Sequence, residues 1–346
     1  MTAQESADFE SIGRRMRPRL IRLNRLRRVA GCLTVVVYSA VLCWMAGCLL
    51  VAFFGWQQLL PEQTPGTWKY VMAGFAVFCM LHFALMYSLT RLREREQGIM
   101  REAVGQMFPG AVYHAGRSVS RRVLSDSSLF EVFGGDGNPA WTTGYGCIDF
   151  RGDGRNTSVY DIGVTSDRQA GIMEHVPVLG ALLMLYRSLI RPIFGTPVEN
   201  SLHGFRGLFG VCAGRQSCRG RVILLPDRLE GRLGYLAHSI QAFRKKNGAS
   251  HVVLEDPEFE NLFAVYADDE VEARKILTPA VMRRITRLRQ DFGRDLMMSF
   301  SGDMIYYAAP FYEGFLRPSR DSLNDKELFG QKFRQSAYLF RFFLYF

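Results

Sequence analysis

The pattern of apolar and charged positions changes character near residue 90. From Val29 to Leu60 no residue is charged, and the most apolar stretch of that run is 29–54. A second uncharged run covers 70–90. At about 1.5 Å of rise per residue these make helices of roughly 39 and 31 Å, enough to cross a hydrocarbon layer of about 30 Å. Between them, Gly55, Pro61, Pro65 and Gly66 punctuate a short connection. The pattern predicts two membrane-crossing helices joined as a hairpin, with both flanks on one side. Within the first, Gly31, Ser39, Cys43, Gly47 and Gly55 form a row at four-residue spacing, interrupted by Val35 and Val51. Such a row suits close packing, against the second span or against another copy of the chain.

Beyond residue 90 the periods shorten. Residues 91–107 read as a helix continuing from the second span and stopped by Pro109-Gly110. Alternating runs at Tyr145–Phe150 and Thr157–Val164 flank Arg151-Gly152-Asp153-Gly154 and predict a β-hairpin. Phe205–Val211 and Arg221–Asp227 read as two further strands. The uncharged segment Val176–Tyr186 is too short to span a bilayer. It reads as a buried helix, or as an interfacial one whose Arg187 and Arg191 reach headgroups. Further on, Val252–Leu254 and Phe263–Tyr266 are strand-like. Asp268 or Asp269 caps a helix through Val271 and Ile276, and Thr278-Pro279 starts another with Val281, Ile285 and Leu288 on its apolar face. Leu296–Phe300 and Met304–Ala308 read as two strands joined at Ser301-Gly302-Asp303. The tail, Phe333–Phe346, is rich in aromatic residues and either packs as a last element or skims a membrane.

The predicted fold class is therefore α+β: a transmembrane hairpin, then a mixed, β-containing cytoplasmic domain. Its parts are a basic arm (1–28), the hairpin (29–90, spans about 29–54 and 70–90), a juxtamembrane helix (91–110) and the domain (111–346).

Charge sets the orientation. The chain carries a formal +10, and the arm alone holds eight arginines: Arg14, Arg15, Arg17, Arg19, Arg22, Arg25, Arg27 and Arg28. Arginines beside spans stay on the cytoplasmic side, and Trp56, Trp68 and Tyr70 suit the opposite headgroup layer. Both termini are predicted in the cytoplasm of a bacterial inner membrane. Met16, Leu20, Leu23 and Leu26 fall near helical spacing, so the arm reads as a basic amphipathic segment on anionic lipid, with Pro18 at a helix start. The charge left for the domain is modest and excludes a nucleic-acid footprint.

Candidate chemistry is sparse. No metalloprotease, phosphate-loop, serine-hydrolase or dinucleotide fingerprint is present. Seven cysteines in 346 residues exclude a disulfide scaffold. Cys147, Cys212 and Cys218, with His203 or His238, lack the usual zinc spacing and read as reduced thiols. His82, inside the second span, reads as a neutral hydrogen-bonded histidine. The densest polar cluster is Glu255, Asp256, Glu258, Glu260, Asp268, Asp269, Glu270 and Glu272. Carboxylates at this density hold a divalent cation, or cap helices and pair with Arg274.

The run LEDPEFENLFAVYADDEVEARKILTPAVMRRI (Leu254–Ile285) resembles the core of an uncharacterised bacterial membrane family, domain of unknown function 3137. FRGLFG, VILLPD and Ser128-Leu129-Phe130 resemble it too, as does the order of two N-terminal spans before an α+β domain. The apolar insertion near 176–195 and the aromatic tail look particular to this chain. The resemblance implies a fold, a topology and at most an envelope-related complex. It implies no catalytic residue and no cofactor.

These features together describe a membrane-anchored interaction or scaffold module rather than an enzyme. Its candidate partner surface is Asp268, Asp269, Glu270, Glu272 and Arg274, and its partners are the lipid bilayer, a protein and, through the small-residue row, a second copy. The competing reading is a membrane-tethered hydrolase or metal-dependent enzyme using the carboxylates of 255–272. That reading requires several of them, or the three thiols, to converge in one pocket.

Overall fold

The computed structural model describes residues 3–53, 67–108, 110–130, 141–152, 155–165, 205–226, 250–311, 314 and 316. The connection 55–66, the insertion with Arg187 and Arg191, His203, His238 and the aromatic tail lie outside them. The chain divides into a unit built on residues 17–98 and a second unit holding the sheet.

The first unit is helical. Helix α1 covers Ala3–Phe53 and α2 covers Thr67–Met107. The helices cover most of the uncharged runs, and a helix satisfies its backbone N–H and C=O groups within itself. As expected, α2 continues unbroken from the second apolar run through 91–107. Pro18 departs from expectation: it lies inside α1, not at its start. Proline removes one hydrogen bond and crowds the carbonyl a turn earlier, a local cost that a long cooperative helix carries.

The two helices touch at several levels. Val37, Tyr38, Val41 and Leu85 are buried together, with Phe78 and Leu89 packed on them. Tyr38 Oη lies 3.3 Å from His82 Nδ1. Arg27 Nε donates to Glu96 Oε1 at 2.6 Å. A Cβ added to Gly74 would sit 2.8 Å from Trp44 Nε1. Contacts at 27, 38 and 44 on α1 meet 96, 82 and 74 on α2, so the helices run antiparallel. The close approach comes from Gly74 on α2. The row on α1 does not supply it, since Gly31, Ser39, Cys43 and Gly47 are all exposed. Bulky side chains also point outward, among them Val29, Val36, Met72, Met80 and Phe83. Among the described residues, Met72–Gln106 is the helix long and apolar enough to cross a membrane.

The second unit is a seven-stranded antiparallel sheet. Its strands are β1 (Ala111–Ala115), β2 (Trp141–Gly152), β3 (Arg155–Thr165), β4 (Phe205–Pro226), β5 (Ser250–Val252), β6 (Phe263–Ala267) and β7 (Met297–Pro310). The order is β1-β2-β3-β4-β6-β5, and β7 also pairs with β4. The hairpin β2–β3 forms as its alternation predicts, with Gly152 opposite Arg155. Among the described residues, four helices join the strands: α3 (Arg121–Ser127), α4 (Pro257–Glu260), α5 (Glu270–Ile276) and α6 (Pro279–Phe292). Buried side chains of β3, β4, β6, β7 and α3 form one core cluster, including Phe130, Phe205, Phe209 and Ile223.

Two expectations change here. The two runs expected at Phe205–Val211 and Arg221–Asp227 form the single strand β4, Phe205–Pro226, and those expected at Leu296–Phe300 and Met304–Ala308 form the single strand β7, Met297–Pro310. The polar stretch inside β4 is absorbed as a register shift between Ala213 and Arg221. The Ser301-Gly302-Asp303 turn former lies opposite it, with Gly302 at φ +57°. Both strands are irregular at one level, so they stay paired above and below it.

The end of β7 is fastened to a buried charge. Asp161 is 0% and Arg206 4% exposed, and Arg206 Nη1 donates to Asp161 Oδ1. Arg206 also donates to the Ile162 carbonyl at 2.9 Å and lies 3.7 Å over the Tyr145 ring. The other carboxylate oxygen of Asp161 accepts the Leu316 N–H at 2.8 Å. Phe311 N–H donates to the Arg206 carbonyl at 2.9 Å, and Gly314 has φ +81°.

Candidate functional site

The signature Leu254–Ile285 begins just after β5 and folds as α4, β6, α5 and the first half of α6. Its carboxylates take separate structural duties. Asp256 caps α4, accepting the N–H groups of Glu258 at 3.1 Å and Phe259 at 3.2 Å. Asp269 caps α5, accepting from Val271 at 2.8 Å. Glu260 accepts the Leu254 N–H at 2.7 Å, and Glu258 accepts from Gln290 at 2.8 Å. Glu272 is buried; the Arg219 N–H and Lys275 Nζ, both 3.2 Å away, hold its carboxyl below the ordinary glutamate range. Thr278 caps α6 with Pro279 next, as its sequence predicts.

Asp268 ties this segment to β4 through three hydrogen bonds. Its Oδ2 accepts both the backbone N–H of Arg221 at 3.0 Å and its Nε at 3.1 Å. The Asp268 N–H donates back to the Arg221 carbonyl at 3.1 Å. Gly220, at φ +88°, turns β4 tightly enough for this; a Cβ there would meet Asp268 at 3.2 Å. Arg221 Nη1 reaches on to Ser128 Oγ at 3.1 Å. Ser128 ends α3 with φ +52°, a left-handed conformation unusual for serine. Arg221, Ser128, Asp126, Tyr306 and the Ser301–Met304 turn line an open polar cleft of about 610 Å³.

On the other side of α5 is an exposed rim. Arg274 Nη2 donates to Glu270 Oε1 at 2.8 Å and to the Val253 carbonyl at 3.1 Å, and Glu255 lies 4.0 Å from Nη1. Beside these charges Val253 is 60% and Val271 73% exposed. Of the expected partner surface, the structure brings Glu270 and Arg274 together on this rim. Asp269 caps α5, Glu272 ties α5 to Arg219 on β4, and Asp268 holds Arg221 at the cleft. Sequence reasoning missed Arg221 and Ser128. The available signal was a charged residue after a glycine at the mouth of the apolar run VILLP.

The carboxylates do not converge, and among the described residues no group of three or more His, Cys, Asp or Glu is placed to hold a metal ion. Cys147, Cys212 and Cys218 are buried at separate points of the sheet. Burial pushes the Cys218 thiol up to about 11, and that of Cys147 further still. Cys147 donates to Asp149 Oδ1 at 3.2 Å. In the arm, Arg15, Arg17, Arg19, Arg22, Arg25 and Arg28 are exposed, whereas Arg27 is drawn in against Glu96. Arg14 also lies on α1.

Residues 203–342 match the family model described as Protein of unknown function (DUF3137). The match contains FRGLFG, VILLPD, the whole signature, Arg221 and Asp268, and it runs on into the aromatic tail. Ser128 and both apolar runs precede it. The DUF3137 segment thus supplies the rim and one wall of the cleft. No curated protein matches the chain. Among solved structures, the crystal structure of the mycobacterial trehalose monomycolate transport factor A, TtfA, aligns with a TM-score of 0.34 at 10% identity, covering 72% of this chain and 92% of that one.

Proposed function

We propose that this chain is a membrane-anchored interaction module whose DUF3137 segment presents the rim of α5 to a protein partner. The observation that carries this reading is the division of labour inside the signature. Its buried and capping carboxylates are committed to structure, while Val253 and Val271 stay exposed beside Glu255, Glu270 and Arg274. Apolar side chains ringed by charge are the usual make-up of a recognition patch. The proposed setting is a bacterial inner membrane, with 29–54 and 70–90 as spans, both termini cytoplasmic and 111–346 as the domain. The arm arginines and Arg187 and Arg191 face the inner leaflet, within an envelope-associated complex.

The test is a photoreactive side chain in place of Val271 in the full chain, irradiated in native membranes. The expected result is one discrete protein adduct, absent when the probe replaces Val112 on β1. Adding Glu270→Arg and Arg274→Glu to the probe chain should weaken the adduct about tenfold, since an ion-pair reversal at a rim costs on the order of 1–2 kcal/mol. Equal, unspecific adducts at both positions would end the reading.

A further inference from the structure

Helix α6 presents a second surface that the interaction reading does not use. Its apolar side is buried through Met282, Ile285, Leu288 and Phe292. The opposite side exposes Arg283, Arg284 and Arg287. These three share one stripe with Ala280, because positions three and four apart lie on the same face. Other arginines of the region are engaged: Arg289 pairs with Asp295 at 2.6 Å, and Arg294 lies 4.4 Å over the Phe311 ring. Arg283 donates only to the carbonyl of Pro279, at 3.1 Å in its own first turn. Among the described residues, Arg283, Arg284 and Arg287 have no carboxylate partner. Asp291 shares the exposed side one turn later and leaves it net positive.

We infer that this stripe of α6 docks on anionic lipid headgroups. The inference rests on the membrane-anchor reading, because an anchor keeps the domain at high effective concentration beside the bilayer. Three features favour lipid over other anions. Among the described residues, the patch has no large exposed aromatic or aliphatic side chain of the kind a protein hot spot uses. Three arginines are too few for a nucleic-acid footprint, and the domain as a whole is only mildly basic. A short row of guanidinium groups on a rigid helix matches a plane of phosphates, with each arginine near such a surface multiplying occupancy about fivefold. Three together bias docking by roughly a hundredfold.

The experiment uses the full chain in nanodiscs, with a photoreactive side chain replacing Ala280 and a headgroup-labelled lipid as reporter. Zwitterionic discs are compared with discs containing about one third phosphatidylglycerol. The expected result is lipid adduct in the anionic discs alone, falling to the zwitterionic level in about 0.5 M salt, where screening is strong. The Arg283→Gln, Arg284→Gln, Arg287→Gln variant should lose it, and the corresponding triple lysine variant should keep it. These side chains are exposed, so the variants fold. Equal adduct in both discs, survival in the glutamine variant, or adduct to a co-purifying protein would overturn the inference. Disc incorporation is read separately by size exclusion. A chain that fails to enter the disc removes the anchor reading and this inference with it, whereas incorporation without adduct removes this inference alone.

Discussion

Asp149, on β2, gathers hydrogen bonds and charge from four side chains. Ser158 Oγ donates at 2.7 Å, Cys147 at 3.2 Å and Arg117 Nη1 at 2.7 Å, with His114 Nε2 at 3.2 Å. Burial pushes its carboxyl up, but Ser158, Cys147, Arg117 and His114 together outweigh that and leave it below the ordinary aspartate range. A depressed carboxyl stabilises the fold above the unfolded pKa and loses that contribution as pH falls through the folded one. Asp149→Asn should therefore cost about 1–3 kcal/mol at neutral pH. The gap to the parent chain should narrow as pH falls below the ordinary aspartate range and close once the folded carboxyl is protonated, where both side chains are neutral. Thermal unfolding across pH checks this, and a gap independent of pH would contradict it. At this scale the sequence revealed what is local. Asp269 and Thr278 are recognisable caps because a cap and its helix are neighbours. The Asp268–Arg221 bond was hidden, because its partners lie 47 positions apart and only the β4–β6 register joins them.

Elements explain the glycines of FRGLFG. Gly210 stands opposite Tyr307 in the β4–β7 ladder, and the tyrosine ring lies across it. A Cβ at 210 would fall 1.9 Å from that ring, and one at 207 would fall 2.2 Å from the Ala309 carbonyl oxygen. Gly210→Ala should destabilise the sheet by roughly 3 kcal/mol or more, at the upper end for overpacking. Tyr307→Ala added to it should recover part of the loss, as a direct clash requires. Chemical denaturation of the three variants decides. Strand existence was legible from the apolar runs, and β2–β3 from its alternation. Strand length was not, since a polar stretch paired with a turn former looks like two breaks when each is read alone. Only the alignment of both irregularities keeps β4 and β7 continuous.

The whole molecule joins a helical unit rich in outward-facing apolar side chains to an antiparallel sheet with few. Composition along the chain showed that division in part, because charge is nearly absent from 29–90, the middle of the helical unit, and is frequent again from Arg91 onward. The site was less legible. The acidic density of 255–272 marked the right segment, but which carboxylates face solvent follows from packing, not from the acidic count. If both runs span, cysteines placed at Gln63 and at Thr2 should differ in labelling by an impermeant maleimide on intact cells from which the outer barrier is removed. Gln63 should label and Thr2 should not, until the membrane is permeabilised. Labelling of both at once would contradict a paired crossing.

The grip of Asp161 on the Leu316 N–H has a practical meaning for anyone cutting this chain into pieces. The last strand ends at Pro310, which looks like a natural place to stop a soluble fragment. A fragment ending there would leave one oxygen of a fully buried carboxylate without its donor and remove the Leu316 side chain packed near Gly146. Arg206 would still pair the charge, but losing a donor to a buried carboxylate oxygen is itself costly. The working boundary of the sheet domain thus lies several residues past its last strand, and fragments should be designed from the carboxylate outward.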